Sequence, residues 1–120
     1  MEPKKYKTKI RSLCRKAGTY APEHDLAITK LAEILSDLDD AKDQYEEAGR
    51  NPVIHYTNKA GAENIVKNPL LMLIIDLRTQ AIAYMRELGL TPSSLRKIKL
   101  TAGEQKNDNI ATLLSLADDA

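Results

Sequence analysis

Residues 67–100 read KNPLLMLIIDLRTQAIAYMRELGLTPSSLRKIKL, and the punctuation of this stretch decides the fold. Asn68-Pro69 sets an N-cap residue before the one helix position where proline is welcome. An apolar segment of about 20 residues follows, roughly 30 Å long as a helix at 1.5 Å per residue. Gly89 stands where a left-handed C-terminal residue belongs. Thr91-Pro92 then repeats the start signal for a short basic helix. Within the long helix, Leu70, Ile74, Leu77, Ala81, Tyr84 and Leu88 recur at 4-3-4-3-4 spacing, the seam of two packed helices. Leu71, Ile75, Ile82 and Met85 make a second stripe about 100° round the helix. A helix apolar on two sides needs two partners. Either the chain covers both stripes itself, or a second copy covers Leu71, Ile75, Ile82 and Met85.

The upstream segments supply the first partner. Pro22 and the early acids Glu23 and Asp25 open a helix over roughly 22–48. Ile28, Leu31, Leu35, Leu38 and Tyr45 line its apolar stripe, and Gly49 ends it. Between the two long helices, residues 53–57 are β-prone, Asn58-Lys59-Ala60-Gly61 is a turn candidate, and residues 62–66 return as a second strand. A small β-hairpin near 51–67, or an ordered loop, therefore joins helices that pack antiparallel. The expected fold is mainly α: a long antiparallel helical hairpin with a small β-excursion.

At 120 residues the chain makes one domain with a modest core. It has no Phe or Trp, so the core is built from Leu, Ile and Ala. The net charge of +1 hides a block layout. Residues 1–18 carry seven Lys/Arg and one Glu; residues 19–50 carry nine acids and three bases. The organisation expected is a basic N-terminal helix or arm over 1–18, a core over 19–100, and a flexible acidic tail over 101–120. In that tail, Ile110 to Ala117 is either disordered or a docking peptide for a larger partner. Cys14 is the lone cysteine, so no internal disulfide forms and a reducing compartment fits. No apolar run approaches a membrane span.

The basic segment is the main candidate for contact with nucleic acid. Tyr6, Ile10, Leu13, Cys14 and Ala17 give a helix over 4–17 an apolar side, leaving Lys4, Lys5, Lys7, Lys9, Arg11, Arg15 and Lys16 over the rest. Clustered cations displace counterions from a phosphate backbone, which makes binding strongly salt-dependent. The bland alternative is a solubilising, frayed terminus. Arg96, Lys97 and Lys99 form a second candidate patch. The acidic face Asp37, Asp39, Asp40, Asp43, Glu46 and Glu47 has no His or Cys near it and no calcium-loop pattern, so it reads as a solvated face or as a surface complementary to a basic patch on another copy.

Catalytic signatures are lacking. The chain has no GxxxxGK[ST] loop and no GxGxxG, and His24, His55 and Cys14 do not match zinc-ligand spacing. Ser93 and Ser94 fall in a first helical turn, where hydroxyls satisfy free N–H groups. The expectation is no catalytic residue, no metal and no cofactor.

Asn68-Pro69, the long helix and Glu87-Leu88-Gly89-Leu90-Thr91-Pro92-Ser93-Ser94-Leu95-Arg96 together resemble the C-terminal signature of one group of bacteriophage terminase small subunits. The resemblance covers roughly residues 20–99. Leu95 departs from the pattern, with the arginine one position later at Arg96. The resemblance implies a non-catalytic subunit that recognises double-stranded viral DNA at the packaging start site in the host cytoplasm. It implies assembly into a homo-oligomeric ring, and loading and regulation of the large terminase subunit, which holds the ATPase and nuclease. The assignment of DNA contacts rests on charge alone. Rival readings are a dimeric transcriptional regulator with a recognition helix, a protein-binding helical adaptor, and a metal-dependent nuclease using the acidic helix.

Overall fold

The computed structural model describes residues 1–100; the acidic tail, with the 110–117 segment read as either disordered or a docking peptide, lies outside the described residues. The elements run α1 (Pro3–Ala17), a single 3₁₀ turn (Pro22–His24), α2 (Asp25–Glu47), β1 (Val53–Thr57), β2 (Glu63–Lys67) and α3 (Pro69–Glu87). The chain is helical again over 92–100, here α4. The architecture is mainly helical with a small two-stranded antiparallel sheet, as the sequence pattern predicts.

Helix ends form where the residue chemistry requires them. The Asn68 side chain accepts a hydrogen bond from the Leu70 amide at 3.0 Å, satisfying one free donor of the first turn of α3. At the other end, the Leu90 amide bonds to the Met85 carbonyl and the Gly89 amide to that of Arg86. This is the Schellman pattern, with Gly89 in the left-handed region at φ +69°. Thr91 and Ser94 then cap α4 reciprocally: the Ser94 amide donates to Thr91 Oγ1 at 3.4 Å and the Thr91 amide to Ser94 Oγ at 3.3 Å. The first-turn serine is thus a cap.

Two apolar clusters hold the helices together. In one, Ile28, Leu31 and Ala32 of α2 meet Ile10 and Cys14 of α1 and Ala81 and Leu88 at the end of α3. In the other, Ala41 and Tyr45 of α2 meet Ile74 and Leu77 of α3. Residues near the start of α3 meet the end of α2, and those near its end meet the start of α2, so α2 and α3 run antiparallel. Each fully buried Leu or Ile contributes about 1.5–3 kcal/mol. Periodicity marks α3 as the helix in need of two partners; in the structure α2 is the element with a helix on either side. Its wide stripe splits between α1 and α3. On two helices, burial departs from the spacing. Leu13, which spacing places on the apolar side of α1, is 48% exposed, because α1 has one close helical neighbour and only the Ile10–Cys14 strip is covered. On the second stripe of α3, Leu71 and Met85 are partly buried against the chain's own clusters, while Ile75 and Ile82 are exposed.

The excursion between α2 and α3 is a hairpin in the register Val53↔Lys67 to Thr57↔Glu63. The Asn58 side chain accepts from the amides of Ala60 and Ala62 at 3.0 and 2.9 Å and so builds the turn. All ten strand residues are exposed. The hairpin is tied to the helices by the Asn68 amide bonding to the Pro52 carbonyl and the Asn68 side chain to that of Asn51.

Candidate nucleic-acid interface

The seven cations of α1 divide into two ridges when the chain coils at 100° per residue. Lys4, Lys7, Arg11 and Arg15 form one ridge, and three of them are engaged within the molecule. Arg11 grips Asp25 with two hydrogen bonds of 2.9 Å, and Lys7 lies 3.5 Å from the same carboxylate. The Arg15 guanidinium sits 4.7 Å above the Tyr20 ring. Lys5, Lys9 and Lys16 form the other ridge, exposed and turned away from the buried strip of Ile10 and Cys14. Eleven residues separate its ends, about 16 Å of helix. Duplex DNA carries one phosphate charge per ~1.7 Å of axis, so a ridge of this length meets several phosphates.

The apolar contact of Ile10 and Cys14 docks this cationic helix, and two carboxylates of α2 add polar ties to it. Near its start, Asp39 accepts from the Tyr6 hydroxyl at 2.5 Å and from the N-terminal ammonium at 3.0 Å. Around its middle, Asp25 takes Lys7 and Arg11. The Arg11 hydrogen bonds hold the Asp25 carboxyl below the usual range, aided by the charges of Arg11 and Lys7. The Tyr6 hydroxyl does the same for Asp39, with the terminal ammonium adding to it. In return Asp39 pushes Tyr6 up to about 12, chiefly through the hydrogen bond. Asp39 is therefore separated in role from its neighbours on the acidic face. Asp37, Asp40, Asp43 and Glu47 remain exposed and make no ion pair among the described residues, while Glu46 pairs loosely with Arg50 at 3.5 Å.

The second patch lies at one end of the bundle. Arg96, Lys97 and Lys99 are exposed on α4. Arg96 bonds back to the Pro92 carbonyl at 3.4 Å, and Lys97 borders a shallow depression with Arg86, Glu87, Ser93 and Ser94. Gly89 ties α4 to the rest: a Cβ at this position would lie 2.8 Å from both the Ile98 and the Thr19 methyl carbons. Thr19 follows directly on α1, so the α4 patch and the Arg15–Lys16 end of α1 occupy the same end of the molecule. Lys4 and Lys5 are about 15 Å further along α1.

Three features of this surface have no signal in the sequence: the Asp25 clamp, the Asp39 clamp and the Gly89 junction. By pattern alone Asp25 is a helix-start acid and Asp39 part of a solvated face. No spacing rule links Arg11 to Asp25 or Tyr6 to Asp39, since each pair meets across two helices.

The remaining reactive groups have structural partners. Cys14 is fully buried, and burial raises its thiol. His24 Nδ1 lies 2.9 Å from the Thr19 carbonyl and closes the α1–α2 connection. His55 pairs with Glu63 on the hairpin at 3.0 Å. Among the described residues no three His, Cys, Asp or Glu side chains converge as a metal site, and no helix is long and apolar enough to cross a membrane.

A family model described as phage terminase, small subunit, matches residues 4–105. The chain belongs to this family. The match takes in α1 through α4, so both cationic patches lie within it. Membership supports a role in packaging, and the small subunit is generally the non-catalytic partner of the large one. Comparison with curated proteins and with solved structures found no match.

Proposed function

We propose that this member of the phage terminase small-subunit family binds double-stranded viral DNA at the packaging start site and assembles above the dimer, with a closed ring as the geometry. In this reading it loads and regulates the large terminase subunit in the host cytoplasm, without chemistry of its own. The observation that carries the reading is the exposed Lys5–Lys9–Lys16 ridge on a helix clamped by Asp25 and Asp39. A clamped helix presents its cations without the ordering cost of a free arm. Arg96, Lys97 and Lys99 extend the basic surface at the α4 end, and Lys4 borders it. Contact is mainly to phosphates, which position the protein but read little sequence. Assembly compensates, since several linked weak sites bind far more tightly than one. Exposed Ile75 and Ile82, with Leu71 and Met85 beside them, support self-association.

Two measurements test this together. Light scattering on the free protein is expected to give a mass above the dimer. Fluorescence anisotropy is expected to show salt-dependent binding to duplex DNA from the packaging start region, tighter than to a shuffled duplex of equal length. A strict monomer or dimer overturns the ring, and no binding to either duplex at low salt overturns the DNA-recognition role.

A further inference from the structure

The seam between α2 and α3 has two open flanks of opposite charge. On one, Lys42, Arg50 and Arg78 surround a shallow depression floored by Tyr45, Leu71 and Ile74, with Glu46 the single acid. On the other, Asp37, Asp40 and Gln44 border a depression floored by Leu70, Leu73 and Leu77, with no cation. Helical geometry sets them back to back. Lys42 and Asp40 are two residues apart on α2, hence about 200° apart round its axis, and Leu71 and Leu73 stand in the same relation on α3. Both depressions draw on the same stretch of the seam, so they lie at one level along the hairpin.

Each flank also has apolar surface that this chain leaves uncovered. Ile75 and Ile82 continue the basic flank, and Leu73 stands in the acidic one, each between 44% and 47% exposed. Arg78, Asp37 and Asp40 make no ion pair among the described residues. DNA does not suit the basic flank, because phosphates would leave its isoleucines without an apolar partner. The acidic flank of another copy supplies both the carboxylates and the leucine.

We infer that copies of this chain join head to tail, the Lys42–Arg78 flank of one seam seated on the Asp37–Asp40 flank of the next. This rests on the assembly part of the proposed function and names its contact. A two-fold dimer through either flank would set like charges together, which is repulsive. Pairing unlike flanks is heterologous, leaves one flank free at each end, and closes only as a ring. The offset between the flanks, on opposite sides of one hairpin, passes the contact through the subunit and so propagates it.

Charge reversal tests the pairing. Lys42→Glu with Arg78→Glu reverses one flank, and Asp37→Lys with Asp40→Lys reverses the other; all four positions are exposed, so circular dichroism is expected to report unchanged helicity. Light scattering is expected to show each double variant falling to the 13.4 kDa of one chain. The quadruple variant, whose flanks are both reversed and again complementary, is expected to recover the wild-type mass. Double variants that keep that mass, or a quadruple variant that fails to recover it, overturn the pairing. So does a Lys42/Arg78 variant that loses DNA binding at unchanged mass, which would give that flank to phosphates. A wild-type protein that is itself no larger than a dimer overturns the assembly reading as well, and so separates the two failures.

Discussion

Removing Lys5, Lys9 and Lys16 together, as the triple alanine variant, asks whether the outer ridge of α1 is the DNA surface. Each phosphate neutralised on duplex DNA contributes about 0.9 to the slope of log K against log salt. With three phosphates no longer neutralised, the slope should flatten by about 2.7 for each protomer that touches the duplex, and at physiological salt that protomer's binding should weaken about a hundredfold. The side chains point to solvent, so stability should stay within about 0.5 kcal/mol of wild type. Arg11→Ala is the internal comparison. Its guanidinium is held on Asp25 by two 2.9 Å bonds, and its removal should change the slope by less than the share of one phosphate, about 0.9. Anisotropy titrations on one duplex at five or more salt concentrations give both slopes, and urea melts of the same samples separate binding from folding. An unchanged slope in the triple variant refutes the assignment of the ridge to DNA. A slope flattened equally by Arg11→Ala refutes the division of α1 into a clamped and a free ridge.

Glycines 89 and 18 share the left-handed backbone, at φ +69° and +76°, yet differ in surroundings. Alanine at Gly18, with nothing within 4 Å of the new Cβ, should cost about 1 kcal/mol for the backbone alone. Alanine at Gly89 meets the stiff, buried Thr19 and should cost about 2–4 kcal/mol in denaturant melts, overpacking added to backbone strain; equal costs would remove the junction. Acid should loosen α1. The carboxyls of Asp25 and Asp39 are both lowered in the folded state, so their contribution is complete above the ordinary carboxylate value of 3.8 and is lost as pH falls below it. Acid melts of the Asp25→Asn, Asp39→Asn double variant should lack that part of the pH dependence, and an identical profile would remove the clamps. Leu31→Ala, at a fully buried site, should cost about 2–5 kcal/mol in a urea melt, whereas a loss under about 1 kcal/mol would mean the cluster readily collapses around the gap.

Local chemistry makes the elements legible in the sequence, and tertiary contacts make the site. Asn68-Pro69, Gly89 and Thr91-Pro92 mark helix ends because caps, ring geometry and left-handed residues act within a few positions of one another. The β-prone run at 53–57 and Asn58 likewise place the hairpin, since a turn is built by its own residues. The antiparallel arrangement follows from apolar period and connection length. Chain order does not say which cations are free. Arg11 and Lys7 look the same as Lys5 and Lys9 in a basic segment, and only the approach of Asp25 from α2 separates them. Asp39 looks the same as Asp40, and only Tyr6 and the terminal ammonium, arriving from a helix more than thirty residues upstream, set it apart. The second stripe of α3 divides for the same reason: period puts Leu71, Ile75, Ile82 and Met85 on one face, but how far α1 and α2 reach across that face decides which are covered. Periodicity is a property of one helix, whereas burial and charge pairing belong to the space between helices. The helices and the hairpin are therefore written in the chain itself; the packing of α1 against α2 and of α2 against α3 selects which charges and which apolar residues are left for partners.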